Sequence, residues 1–364
     1  MAKMPTRQLG KNGPQVSAIG CGAIVFSVGS GTTEVEEKRF KLYDRAIELG
    51  CTFFDSGDVY GDSEDSLGKY FEKYPYQREK VSKIILTENL CFTEVFLATK
   101  FALVMSPELK TYTVRGDAQY VHAACEKSLK RLGLNSIDLY YAHCIDKTVP
   151  IEETVGAMKE LVNVGKVKYL GLSNCSSDTL RRAHAVHPIA CVQIEYSPFS
   201  LDIEREDIGL LKTCREFGVT IVCYSPLSRG ILGGKIKSLD NIPSNDFRRR
   251  FPRFNEENLS KNLQLTEILA ALGRKKGCTP SQLTLAWILA QGDDFIPIPS
   301  TTKIENLEEN LAAAQIKLTK EEIQEIRQVC ENAEIAGESC PKNMSGFLFA
   351  DSAPKLTELL SDPK

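Results

Sequence analysis

Short apolar runs of strand length alternate with helical stretches along nearly the whole chain, and that alternation leaves few folds open. Strand candidates fall at residues 16–19, 52–55, 95–100, 137–142, 168–172, 190–195, 220–224 and 295–298. Between them, apolar spacing predicts helices near residues 34–49, 63–74, 117–132, 151–164, 177–185, 207–217 and 262–291. The first helix is opened by a Thr33…Glu36 capping pattern and closed by Gly50. Asn12-Gly13 marks a hairpin turn ahead of the first strand. Eight strands separated by helices predict an α/β chain folded as one (β/α)8 TIM barrel. A doubly wound sheet would need a glycine-rich phosphate loop after its first strand. The stretch Gly20-Cys21-Gly22-Ala23-Ile24-Val25 lacks the third glycine and a helix directly behind it.

At 364 residues, 42% hydrophobic and 26% charged, the chain can bury a large core unaided. No linker or repeat divides it, so residues 1–364 are expected to form a single barrel domain. Extra length falls in an N-terminal hairpin, in residues 226–261 and in a tail over residues 337–364. Long loops on the C-terminal rim of a barrel shape its substrate site. A net charge of −3 with dispersed basic residues argues against nucleic acid, and Arg248-Arg249-Arg250 reads as a solvated loop. The first residues lack a signal-peptide core, and no apolar run reaches membrane-spanning length. Twelve scattered cysteines without a C-x-x-C pair suit reduced thiols, so a cytoplasmic location is expected and no membrane partner.

Four polar residues end or follow consecutive strands: Asp55, Tyr60, Lys100 and His143. In a parallel barrel those strand ends converge on one rim. Singly, each has an ordinary structural reading: a turn carboxylate, a packed phenol, a strand-end charge and a core imidazole. Together they make a phenol acid with its tuning groups, because a free tyrosine near pKa 10 is a weak acid unless a cation stabilises its anion. On this reading Lys100 lowers the Tyr60 pKa, Asp55 holds Lys100 charged, and neutral His143 orients a carbonyl.

The runs Phe54-Asp55-Ser56-Gly57-Asp58-Val59-Tyr60-Gly61, Leu97-Ala98-Thr99-Lys100-Phe101 and Asp138-Leu139-Tyr140-Tyr141-Ala142-His143 resemble the catalytic signatures of the aldo-keto reductases. The resemblance extends through Gly171-Leu172-Ser173-Asn174, Gln193-Ile194-Glu195-Tyr196-Ser197, Tyr224-Ser225-Pro226-Leu227-Ser228-Arg229-Gly230 and Pro299-Ser300-Thr301-Thr302-Lys303. It implies NADPH-dependent reduction of an aldehyde or ketone, with Asp55, Tyr60, Lys100 and His143 as the catalytic set. It also implies that Ser173, Asn174 and Gln193 bind the nicotinamide carboxamide and that Tyr224 stacks on the nicotinamide ring. Ser225, Leu227 and Arg229 fall where the pyrophosphate passes. Ser300 lies in the segment after the last strand, and Thr302…Glu305 reads as a capping box opening a helix, with Lys303 beside it. Amides at a helix start attract phosphate, which favours the 2′-phosphate of NADPH. Glu309 and Asn310 match positions that contact adenine.

The resemblance leaves other readings open. Similar proteins reduce pyridoxal or run the reverse alcohol oxidation, and potassium-channel β subunits, which regulate a partner, look alike. Cys144 stands where many relatives of this branch place arginine. His184 and His187 have no Cys or carboxylate cluster around them and read as structural, so no metal site is expected. Substrate choice should lie in residues 24–32, 226–253 and the tail, and the pattern does not give the oligomeric state.

Residues 81–94 look out of place. The second helix should lead through Gln77-Arg78-Glu79-Lys80 straight to Val95, yet a second strand-like run, Val81-Ser82-Lys83-Ile84-Ile85-Leu86, intervenes. It is read as an insertion on the face opposite the site or as a retained in-frame intron, since Val-Ser-Lys can be encoded by a splice-donor-like GTAAGTAAR.

Overall fold

In the computed structural model, residues 3–23, 33–78, 94–105 and 112–355 are described. The chain opens with an antiparallel hairpin, β1 (Thr6–Gln8) and β2 (Gln15–Ser17), whose turn is closed by Leu9 N–H donating to Pro14 O at 2.9 Å. The barrel strands follow as β3 (Cys21–Gly22), β4 (Phe53–Asp55) and β5 (Phe96–Phe101). A small rim hairpin, β6 (Leu103–Met105) with β7 (Tyr112–Val114), interrupts them. The remaining barrel strands are β8 (Ile137–Ala142), β9 (Val167–Ser173), β10 (Ile189–Glu195), β11 (Thr220–Tyr224) and β12 (Phe295–Pro297).

These eight strands pair in parallel, in the order β12-β11-β10-β9-β8-β5-β4-β3. The ring closes where Gly20 N–H donates to Pro297 O at 2.9 Å and Gly22 N–H to Pro299 O at 3.2 Å. The result is the (β/α)8 barrel that the alternation predicts. Its interior is a separate apolar plug of Leu9, Val16, Phe53, Ala98, Leu139, Tyr141, Cys191, Val222, Ile296 and Ile298.

Around it lie α1 (Thr33–Glu48), α2 (Ser63–Lys73), α3 (Ala118–Leu132), α4 (Ile151–Asn163), α5 (Ser177–Val186), α6 (Leu210–Phe217), α7 (Glu256–Lys276), α8 (Pro280–Leu289), α9 (Ile304–Ala312) and α10 (Lys320–Asn332). α3 turns one apolar stripe of Val121, Cys125, Leu129 and Leu132 inward, whereas α8 is buried almost all round, from Leu283 through Ile288. No helix among the described residues is long and apolar enough to cross a membrane.

Three expectations need correction. Residues 16–19 are not the first barrel strand. Val16 belongs to the hairpin and fills the barrel floor, and the first barrel strand is the two-residue β3. Residues 262–291 are two helices, because Gly277 ends α7 at φ +76° and Thr279-Pro280 restarts the chain as α8 with a capping box. The Thr302…Glu305 capping box is absent. Lys303 is the N-cap of α9, and the Thr301 hydroxyl accepts from Lys303 N–H at 3.1 Å and from Asn306 Nδ2 at 3.3 Å. Residues 81–93, nearly all of the suspected insertion, lie outside the described residues.

Candidate active site

The ends of β4, β5 and β8 bring the four singled-out residues together. Lys100, in β5, is fully buried with its ammonium held by Asp55 at the end of β4 and by Ser56 O at 2.5 Å. The second carboxylate oxygen of Asp55 accepts from Gln193 Nε2 at 2.8 Å. Tyr60 arches over this pair, with Lys100 Nζ 4.9 Å from its ring centre. The Tyr60 phenol meets His143 Nε2 at 3.4 Å, and His143 directly follows β8 with its amide donating to Phe101 O at 2.9 Å. The Tyr141 ring lies 5.6 Å from Lys100 Nζ, and Gly171 in β9 leaves it room, since a Cβ there would sit 2.5 Å from that ring.

The electrostatics follow from burial. Desolvation pulls the Lys100 ammonium down, but the Asp55 carboxylate and the Tyr60 phenol outweigh it, so its pKa is raised and the charge is retained. Burial pushes Asp55 up, opposed by Lys100 and Gln193. For Tyr60 burial also acts upward and Lys100 downward, and burial wins. Lys100 thus acts in the expected direction without bringing the phenol below its ordinary value. Burial first and then the Lys100 charge drive His143 down to about 3, so its imidazole is neutral near pH 7. Its Nδ1 is buried without a hydrogen-bond partner. That favours the tautomer with the proton on Nε2, since an orphaned acceptor is then left rather than an orphaned donor.

Beside this group the rim carries unusual backbone. Positive φ occurs at the non-glycine residues Ala102, Asn174, Ser225, Ser228, Arg229 and Phe349, all on loops after barrel strands or in the tail. Strain of this kind collects where surroundings over-determine the chain, often around a ligand. Ser173 ends β9 and is buried, and Asn174 follows it, accepting the Tyr224 hydroxyl on Oδ1 at 3.1 Å. After β11, Ser225, Leu227, Ser228 and Arg229 form a tight turn in which Ser228 N–H donates to Ser225 O at 2.8 Å and Gly230 N–H to Leu227 O at 2.9 Å. The Ser228 hydroxyl is buried without a partner. Arg229 lies 4.1 Å over the Phe251 ring and 3.7 Å from Glu195. After the neighbouring β12, Ser300 is half-buried, and Thr302 and Lys303 are exposed at the start of α9. Further along α9, Asn310 is buried, while Glu309 accepts from Thr279 at 2.7 Å and from Lys235 at 3.1 Å. The chemistry of this donor set suits a dinucleotide: amides beside the acid, an unpartnered hydroxyl and an arginine in the middle, and a free lysine at a helix start. No group of three His, Cys, Asp or Glu able to hold a metal occurs among the described residues.

A family model for the aldo/keto reductases matches residues 18–331. The chain belongs to the aldo-keto reductase family. It is 50% identical over 360 residues to aldo-keto reductase str7 of Strobilurus tenacellus, covering 98% of this chain and 99% of that protein. It is 43% identical over 353 residues to the Schizosaccharomyces pombe aldo-keto reductase yakc, named for NADP(+), covering 96% and 98% of the two chains. Among solved structures, a glycerol dehydrogenase from Gluconobacter oxydans superposes with a TM-score of 0.78 at 23% identity, over 92% of this chain and 97% of that one. A thermostable aldo-keto reductase bound to the inhibitor epalrestat superposes at 0.66 with 27% identity, over 90% and 100%. The chain is therefore an oxidoreductase.

One feature of this aldo-keto reductase went unread in the sequence, and two that were singled out there, the tail and Cys144, gain a definite place. Glu195 is buried at the end of β10, bound by Arg253 at 3.1 Å and Ser200 at 3.2 Å, with its second oxygen lacking a hydrogen bond. Its place two residues after Gln193, on the same face of the strand, was an available signal. The tail, by contrast, reaches the site through backbone bonds that leave no local pattern. Finally, Cys144 is buried, and desolvation pushes its thiol up to about 12, which makes it an unreactive packing residue.

Proposed function

We propose that this oxidoreductase reduces a small aldehyde or ketone to the alcohol, using NADPH. The observation that carries the reading is the buried Lys100–Asp55 pair lying under Tyr60, whose phenol also meets His143. Burying such a pair costs desolvation that packing alone would not call for, so it marks a candidate functional site, and here its positive end faces an ionisable phenol.

When bound, NADPH supplies a hydride to the carbonyl carbon. Tyr60 keeps its proton at neutral pH and delivers it to the carbonyl oxygen. Lys100 stabilises the phenolate that remains, and Asp55 keeps Lys100 charged and aimed. The Nε2–H of His143 donates to the same carbonyl oxygen, orienting it and supporting its developing charge. Ser173 and Asn174 would hold the carboxamide of the cofactor, and Gln193 keeps its amide oxygen for it while its nitrogen is spent on Asp55. Tyr224 would carry the ring, the turn through Ser225, Leu227 and Arg229 the pyrophosphate, and Ser300, Thr302, Lys303, Glu309 and Asn310 the adenosine end. Lys303 adds the positive charge that a 2′-phosphate needs. The whole chain acts in this reading as one barrel domain in the cytoplasm, with a small-molecule carbonyl as its partner.

The test is NADPH oxidation by purified protein against aromatic aldehydes, aliphatic aldehydes and pyridoxal. Turnover on at least one class supports the reading and ranks the substrates. Tight NADPH binding without turnover on any carbonyl would replace it with a regulatory, cofactor-sensing role.

A further inference from the structure

Asn174 is held in the left-handed region at φ +56°, which L-residues adopt at a cost. The barrel supplies part of what holds it there. Its amide donates to Gln193 O at 3.1 Å, its Nδ2 to Ser173 Oγ at 3.1 Å, and its Oδ1 accepts from Tyr224 at 3.1 Å. The carbonyl is satisfied from the far end of the chain, by Ala350 N–H donating at 2.8 Å. Ala350 O in turn accepts from Ser176 N–H at 3.0 Å, so Ala350 forms a one-residue parallel bridge with Cys175, two residues past β9.

Ala350 is itself firmly placed. Thr179 Oγ1 donates to Ala350 O at 3.3 Å and accepts from Ser352 N–H at 3.1 Å. Arg182 donates to Ala353 O at 2.8 Å, and Ala353 bridges Pro150. The preceding residue, Phe349, has φ +48°, a backbone that a bulky side chain seldom takes without being forced. Upstream the tail is anchored a second time, where Asn262 binds Ala336 through both backbone groups at 2.8 and 2.9 Å and Arg253 donates to Gly337 O at 3.4 Å. Between the anchors, Cys340 is buried within electrostatic reach of Glu195, Arg229 and Tyr224. The tail is thus a strap fixed at both ends, and its distal clamp closes on the backbone of Asn174.

We propose that Ala350 is a positioning residue for the cofactor: its backbone holds Asn174 left-handed, so that the Asn174 amide faces the nicotinamide carboxamide. The inference rests on the NADPH reading. Released from Ala350, the Asn174 carbonyl loses its partner and the residue relaxes toward ordinary backbone. The carboxamide contact is then lost while the adenosine end of the cleft is untouched.

Two ligands separate these ends: NADPH, and 2′-phospho-ADP-ribose, which lacks the nicotinamide. Ala350→Pro removes the donor and drives residue 349 toward extended backbone. Thr179→Val is the gentler variant, deleting the hydroxyl that holds Ala350 and Ser352 while leaving both their amides. Calorimetric titration of full-length protein, with melting curves to confirm folding, is expected to show NADPH weakened roughly tenfold in Ala350→Pro, the order set by one orphaned backbone hydrogen bond. A smaller loss in the same direction is expected in Thr179→Val, with the fragment bound within about twofold of wild type in both. Unchanged NADPH affinity in the folded variants overturns the proposal, and so does equal weakening of both ligands. Wild-type protein that binds the fragment but not NADPH overturns it too, whereas wild-type protein that binds neither removes the cofactor reading beneath it.

Discussion

His143 Nε2 lies 3.4 Å from the phenol oxygen of Tyr60, with the two rings nearly perpendicular at 86°. That edge-on meeting leaves the Tyr60 hydroxyl and the His143 N–H side by side, and in the proposed reaction both would donate to one carbonyl oxygen. Because His143 is pushed down to about 3, its charge does not change across the physiological range. The pH profile of kcat/KM should therefore show no inflection from His143 between about pH 5 and 8. His143→Asn should lower kcat/KM by about 10²–10³-fold, the usual loss for one donor to a developing oxyanion. An inflection near pH 6.5 that vanishes in His143→Asn would contradict a neutral imidazole. For stability the sign is the same as for a depressed carboxylate. The unfolded chain binds a proton that the fold refuses, so the contribution of His143 is full above about pH 6.5 and is lost as pH falls toward 3.

Asp55→Asn should destabilise the fold more than it alters cofactor binding. Lys100 is 0% exposed, and without the carboxylate its ammonium stays buried with Ser56 O and a neutral amide. Removing one partner of such a pair costs about 3–5 kcal/mol. Urea unfolding at pH 7 measures it, and a change under about 1 kcal/mol would mean that Lys100 is not charged in the fold.

Asp58, on the loop between Asp55 and Tyr60, offers a pH test of that loop. Burial and then Glu64 push its carboxyl up to about 7 against the pull of Lys127 and Arg131, and its Oδ1 is buried without a partner. A folded value above the ordinary 3.8 means stability falls as pH rises from about 4 to 7 and levels off beyond. Asp58→Asn should be close to neutral at pH 4 and more stable than wild type at pH 8, by about 2–4 kcal/mol. A difference that does not vary with pH would sink this account of the loop.

The described residues on either side of 79–93 meet at nearly one point. Val95 N–H donates to Gln77 O at 2.9 Å, and Arg78 reaches Val95 O at 2.6 Å as well as Asp138. This junction sits at the start of β5, opposite the rim that carries Lys100. We therefore expect a chain lacking residues 81–94 to fold with a melting temperature within a few degrees of the full chain, since roughly 2–4 °C corresponds to 1 kcal/mol in a chain of this class. Tryptic peptides of native protein decide whether the segment is translated. A peptide spanning residues 95–100 appears if Val95 follows Lys80, and one spanning 84–100 if it does not.

What the sequence revealed and what it hid divide along one line. Strands with a continuous apolar run and a polar end, such as β8 before His143 and β11 before Tyr224, are legible with their boundaries, because burial on both faces demands that composition. So is the convergence of Asp55, Lys100 and His143, which follows from parallel strands in one ring. Val16 misled because a floor plug and a barrel strand are both apolar, and only the register with Arg7 tells them apart. The two-residue β3 has no run to read. The break between α7 and α8 was signalled by Gly277 and Pro280 and outweighed by the apolar spacing on either side. The contact of Ala350 with Asn174 is carried by backbone atoms of residues far apart in the chain, and nothing in either side chain announces it.

The central claim is that Tyr60 gives the proton. The direct measurement is single-turnover oxidation of bound NADPH by an aldehyde, in wild type and in Tyr60→Phe, with NADPH affinity measured in parallel. The account predicts a rate lower by about 10²–10⁴-fold in the variant, with NADPH affinity within about threefold of wild type. A Tyr60→Phe rate within about threefold of wild type would show that the proton comes from elsewhere.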